Sequence, residues 1–226
     1  MRKFQLFLKR FADIVISGIM IIILAPILIV IAILIRATSK GPAIFTQERT
    51  GKKGKTFKIY KFRTMLLPEQ RITSDGRQLT PKESITKVGN FLRKTSLDEL
   101  MQLFNVFNGT MSIVGPRPTL PEQMERYNET QKKRLLMRPG ITGWAQVNGR
   151  NNLNWSQKIV YDVEYVEKFN IFFDLKIIIK TIGVVFKKEG IQFKDGDTIQ
   201  LNKDELENSE TNEGLENEEN QKKEVR

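Results

Sequence analysis

The chain has 226 residues, 40% of them apolar, enough for one domain with its own core and short appendages. It has no cysteine and no histidine, which excludes disulfides, thiolate nucleophiles, Cys/His zinc sites and every Ser-His-Asp or Cys-His triad. Lys and Arg (37) outnumber Asp and Glu (26), and residues 195–226 hold 11 acidic and 4 basic side chains, so residues 1–194 carry +18. A body this basic calls for an anionic partner: nucleic acid, anionic lipid or a phosphorylated small molecule.

The first element is apolar. Ile14 to Ile35 runs 22 residues without a charge, long enough for a membrane helix and too long for a signal peptide, although Ala37-Thr38-Ser39 mimics a cleavage site. Pro26 falls within it, where its missing N–H and its clash with the carbonyl of Ile22 predict a break. Arg2, Lys3, Lys9 and Arg10 precede the segment; Arg36, Lys40, Arg49 and Lys52 follow it. Lys and Arg mark the cytoplasmic side, and here both ends carry the mark. A helix broken at Pro26 that enters and leaves by one face satisfies both ends, so residues 1–40 read as a re-entrant anchor.

Residues 41–194 read as an α+β body, mostly helical with a small hairpin. Ala43–Gln47 and Thr56–Arg63 are strand-like and joined by Gly51-Lys52-Lys53-Gly54, with a bulge or strand end predicted between Ile59 and Tyr60, where the alternation slips. Residues 68–84 are polar, with Pro68, Gly76 and Pro81, and read as a mobile loop. Ile85–Lys94, Leu97–Phe107, Glu122–Met137 and Trp155–Lys168 read as helices, separated by turn-rich Gly115–Pro121, Pro139–Gly143 and Asn148–Asn152. Phe169–Lys188 mixes Phe, Ile and Leu with Lys176, Lys180, Lys187 and Lys188, which suits either a membrane-interface helix or an amphipathic core helix; a chain already anchored favours the interface. Residues 195–226, acidic and poor in aromatics, read as a disordered tail.

Ser96-Leu97-Asp98-Glu99 has capping-box spacing, so Glu99 has a ready structural role as a helix cap and Asp98 as a partner of the helix dipole. The same position can serve chemistry: adjacent acids point about 100° apart on a helix, so one can be a nucleophile while the other holds a metal ion. Around this pair lie Lys61 and Arg63 at a strand end, Arg93, Arg117 between two prolines, Arg138 before Pro139-Gly140, and Arg150 after Asn148-Gly149. Arginines on constrained backbone lose little entropy in bidentate phosphate bonds. Together with one acidic pair they suggest an anion site that uses a hard divalent cation.

Ile59-Tyr60-Lys61-Phe62-Arg63-Thr64-Met65, Ser96 to Val106, Met111 to Pro118 and Arg138 to Asn151 occur in the order seen in the bacterial sugar transferases, and the chain resembles that family to about residue 190. These are monotopic phosphoglycosyl transferases acting on polyprenyl phosphate, and the length resembles their small, single-domain form. The resemblance implies transfer of a sugar 1-phosphate from a UDP-sugar to undecaprenyl phosphate, with Mg²⁺ as cofactor and UMP as leaving group, as the first membrane step of surface glycan assembly. It implies Asp98 as nucleophile, through a phosphosugar-aspartyl intermediate, and Glu99 as Mg²⁺ ligand. Lys61, Arg63, Arg93, Arg117, Arg138, Gln146, Asn148 and Asp162 become substrate or phosphate contacts, with Arg150 as phosphate partner. The family's anchor is re-entrant, in the bacterial inner membrane with the catalytic domain at the cytoplasmic face, against inner-leaflet lipid; a homo-oligomer is compatible with the sequence. Ala25-Pro26, Met101 and Thr110 depart from the family pattern without touching the acidic pair.

Three rivals follow from the same residues. A membrane-tethered nucleic-acid binder explains the charge but not Asp98-Glu99, and the chain has no recognisable reader module, so no nucleic-acid partner is expected. A catalytically idle scaffold would have no need of the pair. A transferase that passes sugar without phosphate would release UDP in place of UMP.

Overall fold

The structure, a computed structural model, describes residues 2–73, 75–149 and 153–186. The acidic segment 195–226, Arg150 and the last two lysines of Phe169–Lys188 lie outside the described residues.

Helix α1 spans Arg2–Thr38 and contains Pro26 without interruption, so the helix continues through the predicted break. It is long and apolar enough to cross a bilayer. Both of its ends grip the rest of the chain. Near the start, Arg2 donates to the Val166 carbonyl (2.8 Å), Lys9 pairs with Asp174 (2.6 Å), and Arg10 donates to the carbonyls of Val106 and Phe107. The Asp13 carboxylate accepts from the backbone N–H of Ile113 (3.0 Å). In the second half, Leu28, Ile31 and Ile35 are buried in one cluster with Phe62 and Leu92. Between them Ser17 is buried and Gly18 packs against Phe107, while Ile22 and Ile23 are 76% and 63% exposed.

Strands β1 (Ile44–Thr50) and β2 (Thr56–Phe62) form the expected antiparallel hairpin. Its register runs unbroken from Ile44–Phe62 to Thr50–Thr56, so the predicted bulge is absent. The alternation slips because both faces are covered: Ile59 packs with Val106 and Met111, and Phe62 packs against α1. The polar segment that follows is laced by bridges pairing Met65 with Ile85 and Ile72 with Gln78.

Helix α2 (Lys87–Lys94) is capped by Thr86, whose side chain accepts from the Gly89 N–H. The helix predicted over 97–107 divides into a 3-10 turn at Leu97–Glu99 and helix α3 (Gln102–Phe107). The predicted helix over 122–137 divides too, into α4 (Pro121–Met124), α5 (Glu129–Lys132) and a 3-10 turn at Lys133–Leu136. The break has a cause: Tyr127 turns into the core beside Ile159 and Val163, and Asn128 starts a new helix by capping the Gln131 N–H.

Two three-residue strands, β3 (Ser112–Val114) and β4 (Gly140–Thr142), pair in parallel. The connection between them carries α4 and α5, as parallel pairing requires a long crossover. Helix α6 (Trp144–Asn148) follows, between the two stretches the sequence reads as turns and overlapping the second only at Asn148. Helix α7 (Trp155–Lys168) matches its predicted span, and α8 (Ile171–Phe186) lies within its own. The main core gathers Val114, Met137, Tyr165, Val166, Phe169 and Ile177, while Phe172, Leu175, Ile179 and Ile182 of α8 stay exposed along one stripe.

Candidate active site

Asp98 and Glu99 sit on the 3-10 turn between α2 and α3, and Leu97, Leu100 and Met101 pack that turn onto the α1 cluster. Ser96 does not cap it. Its backbone is left-handed (φ 56°) and its side chain makes no cap bond. The capping-box reading is therefore corrected, and Glu99 is turned to other partners. A serine in this conformation is strained, and the strain lies directly before the acidic pair.

The carboxylate of Glu99 bonds the Lys61 ammonium at 2.8 Å and has the Arg117 guanidinium at 4.0 Å. Arg93 enters from α2, where its Nε donates to Thr64 Oγ1 at 2.8 Å. Burial and the neighbouring Glu99 push the Asp98 carboxyl up to about 6, while Lys61 and Arg93 pull it back. Near pH 7 Asp98 is thus mostly ionised but poorly solvated, a combination that favours nucleophilic attack.

The structure brings Lys61, Arg93, Asp98, Glu99 and Arg117 together into one cluster. Several other predicted contacts are not part of it. Arg63 is buried and donates to the Ser39 carbonyl (2.9 Å), the Ser39 hydroxyl and the Lys40 carbonyl, so it caps the end of α1 and is not placed to bind phosphate. Arg138 donates to the Gly109 carbonyl (2.8 Å) behind α3. Asn148 closes α6 by donating to the Trp144 carbonyl (2.7 Å) and accepts from Lys180. Asp162 is 1% exposed and ion-paired with Arg134, so it cannot touch a substrate in this arrangement. The amide of Gln146 is buried with neither end hydrogen-bonded among the described residues. Its oxygen lies near Gly143, itself pressed against the Gly115 carbonyl at the base of the Arg117 loop. Arg150 lies outside the described residues.

Arg49, which the sequence reading does not include among the site candidates, lies near Arg117. It occupies the same face of the hairpin as Lys61, two cross-strand rows away, since Phe45 opposes Lys61, Gln47 opposes Ile59 and Arg49 opposes Phe57. Its guanidinium donates to Gln47 Oε1 (2.7 Å), and burial together with the charge of Arg117 lowers its pKa. Two-residue periodicity along the hairpin, counted from Lys61, is the signal that finds it.

A carboxylate pair packed on an apolar helix and faced by Lys61, Arg93 and Arg117 combines two acids with an excess of cations suited to an anionic ligand. Residues 4–188 match the family model of the bacterial sugar transferases, and the chain belongs to that family. It is 42% identical to an uncharacterized sugar transferase, EpsL, of Bacillus subtilis, over 82% of this chain and 90% of that protein. It is 42% identical to the UDP-glucose:undecaprenyl-phosphate glucose-1-phosphate transferase of Escherichia coli, over 77% of this chain and 39% of that one. It is 39% identical to the undecaprenyl-phosphate galactose phosphotransferase of Salmonella typhimurium, over 81% of this chain and 41% of that one. The chain thus spans about two fifths of these last two relatives.

Proposed function

We propose that this chain transfers a sugar 1-phosphate from a UDP-sugar to undecaprenyl phosphate and releases UMP. The observation that carries the reading is the half-buried Asp98 beside Glu99, ringed by Lys61, Arg93 and Arg117; the names of the Escherichia coli and Salmonella relatives support the substrates.

An Asp98 carboxylate oxygen attacks the phosphorus that bears the sugar. The bond from that phosphorus to the bridging oxygen breaks, and UMP leaves with the electron pair. A phosphate oxygen of the lipid then attacks the same phosphorus and releases Asp98 as a carboxylate. No general base is needed, because both nucleophiles are already anionic, and the chain has no histidine to supply one. Arg117 and Arg93 stabilise the charge that spreads over the transferring group.

The donor set suits Mg²⁺ in the mode that uses one or two carboxylates and completes its shell with substrate phosphate and water. Among the described residues no cluster of three metal-ligating groups exists; Glu99 would hold the ion jointly with the diphosphate, while Asp98 serves as the nucleophile. The ion would neutralise the leaving UMP. Lys61, already on Glu99, orients that carboxylate.

The anchor reads as re-entrant, at the cytoplasmic face of the bacterial inner membrane. A straight 37-residue helix is about 55 Å long, whereas a body of some 150 residues is only about 40 Å across. Yet Arg2 reaches Val166 at one end, and Ser39 and Lys40 hold Arg63 at the other. Both ends docked on one body, with basic residues at each, fit an anchor whose two ends stay on one face of the membrane. The exposed stripe of α8 would lie on the same leaflet.

Purified full-length protein, given Mg²⁺, undecaprenyl phosphate and a panel of UDP-sugars, should release UMP from at least one donor. Asp98→Asn should be folded and at least ~10³-fold slower, the order expected when a covalent nucleophile is lost. Release of UDP instead, or full activity in the variant, overturns the reading.

A further inference from the structure

The Pro116-Arg117-Pro118 segment is tied from behind. Arg134, on the 3-10 turn after α5, is 3% exposed and donates through Nη2 to the Arg117 carbonyl (2.9 Å) and to the Asp162 carboxylate. Through Nη1 it donates to the Tyr127 hydroxyl (2.5 Å), which donates in turn to Thr119 Oγ1 (3.0 Å). The Thr119 carbonyl accepts from the Thr50 N–H at 2.8 Å, closing the loop onto the catalytic hairpin. The Arg134 guanidinium lies over the rings of both Tyr127 and Trp155, at 5.4 and 5.6 Å. One buried guanidinium therefore holds the Arg117 backbone directly and the Thr119 side chain through Tyr127.

Ion pairs this deep are poor stabilisers, since the desolvation of both charges offsets their attraction. This pair is also imperfectly satisfied: Arg134 Nε has no hydrogen-bond partner among the described residues. What the pair provides is geometry. It presents a charged donor to one carbonyl, that of the residue whose guanidinium faces Glu99 at 4.0 Å. A proline on either side leaves Arg117 little backbone freedom of its own, so the orientation of its side chain follows from where the loop is pinned.

We infer that Asp162, through Arg134, is a positioning residue for Arg117, and that it acts on the transfer reaction only by that route. The inference rests on the function proposed above, in which Arg117 meets the transferring phosphoryl group. It gives Asp162, Arg134 and Tyr127 one shared role, with Asp162 holding the guanidinium and Tyr127 carrying its hold on to Thr119.

A double-mutant cycle tests this, read as UMP release by the full-length protein with the UDP-sugar it turns over. Arg117→Ala and Asp162→Asn should each lower kcat/KM by at least ~10-fold and change the same parameter, kcat or KM. Combined, they should be no more than ~3-fold worse than Arg117→Ala alone, because interacting sites are not additive. Tyr127→Phe keeps the ring against Arg134 and Trp155 and removes only the hydroxyl. It should cost ~3- to 10-fold in the native background and nothing in the Arg117→Ala background, and it stands in if Asp162→Asn fails to fold. Losses that multiply in the double variants, or an Asp162→Asn protein of native turnover, overturn the inference. Those outcomes leave the proposed reaction standing as long as Asp98→Asn remains inactive. Turnover that survives Asp98→Asn removes the reaction itself.

Discussion

Asp98, the proposed nucleophile, is the residue at which the proposed function and stability conflict. Its carboxyl is raised to about 6 in the folded protein from an ordinary value near 3.8, first by burial and then by Glu99. Between those values the folded chain binds a proton that the unfolded chain has already lost, so stability falls as pH rises through this window and the penalty is complete above about pH 6. In metal-free protein, Asp98→Asn should therefore be more stable than wild type above pH 6, by on the order of 1–3 kcal/mol. The difference should shrink towards zero near pH 4. Chemical denaturation at pH 4.5 and pH 7.5 in the presence of a chelator checks it, and a variant less stable at pH 7.5 contradicts the environment described for Asp98. The composition alone had already pointed to a carboxylate, since histidine and cysteine are absent. How hard that carboxylate is pressed depended on burial, which residue identity does not report. The same gap explains why Arg63, Arg138 and Asp162 read as substrate contacts in the sequence: a cation held by a carbonyl and one facing a phosphate are spelled alike, as are an acid paired inside the fold and one facing a ligand.

At the level of elements, Arg93 depends on how closely α2 lies on the end of the hairpin. The Thr86 N–H bonds the Thr64 carbonyl at 3.0 Å, and one turn further on Gly89 presses against the same carbonyl, so that a Cβ there would sit 2.0 Å from the oxygen. Arg93, a turn later again, reaches Thr64 Oγ1. Helix propensity favours Ala over Gly by about 1 kcal/mol, but overpacking against rigid backbone costs about 1–3 kcal/mol or more, and here the contact is with a carbonyl that cannot step aside. Gly89→Ala should thus destabilise the protein by about 1–2 kcal/mol net. It should also lower kcat/KM at least ~10-fold by moving Arg93 away from Asp98. Thermal melts with UMP-release kinetics measure both, and a more stable, fully active variant would mean that α2 is free to shift. Elements with a strong period, such as the hairpin, α7 and α8, were legible in the sequence. Strands β3 and β4 were not, because three residues contain no period, and what pairs them is close approach of Gly115 and Gly140. The helix expected over 122–137 failed at Tyr127, an aromatic that the core claimed.

Across the whole molecule, the apolar helix α1 and the turn that carries Asp98 and Glu99 pack as one structure. Leu28, Ile31 and Ile35 of α1 form the floor beneath Leu97 and Leu100, and under the proposed function the acidic pair would lie where a lipid phosphate meets the aqueous phase. That arrangement needs the second half of α1 on the same side of the bilayer as the body, and the ion pair of Lys9 with Asp174 needs the first half there too. The basic residues at both ends, the feature legible in the sequence, agree with this, whereas the predicted break at Pro26 gave way to a continuous helix. The chain has no cysteine, so Lys3→Cys and Lys40→Cys each introduce a single, exposed thiol. In vesicles of defined sidedness, a membrane-impermeant maleimide should modify both from the cytoplasmic face and neither from the other. Labelling of the two from opposite faces would make α1 a true span. It would then also require one of the two docked ends to part from the body, breaking either the Lys9–Asp174 pair or the packing of Ile31 and Ile35 behind Asp98.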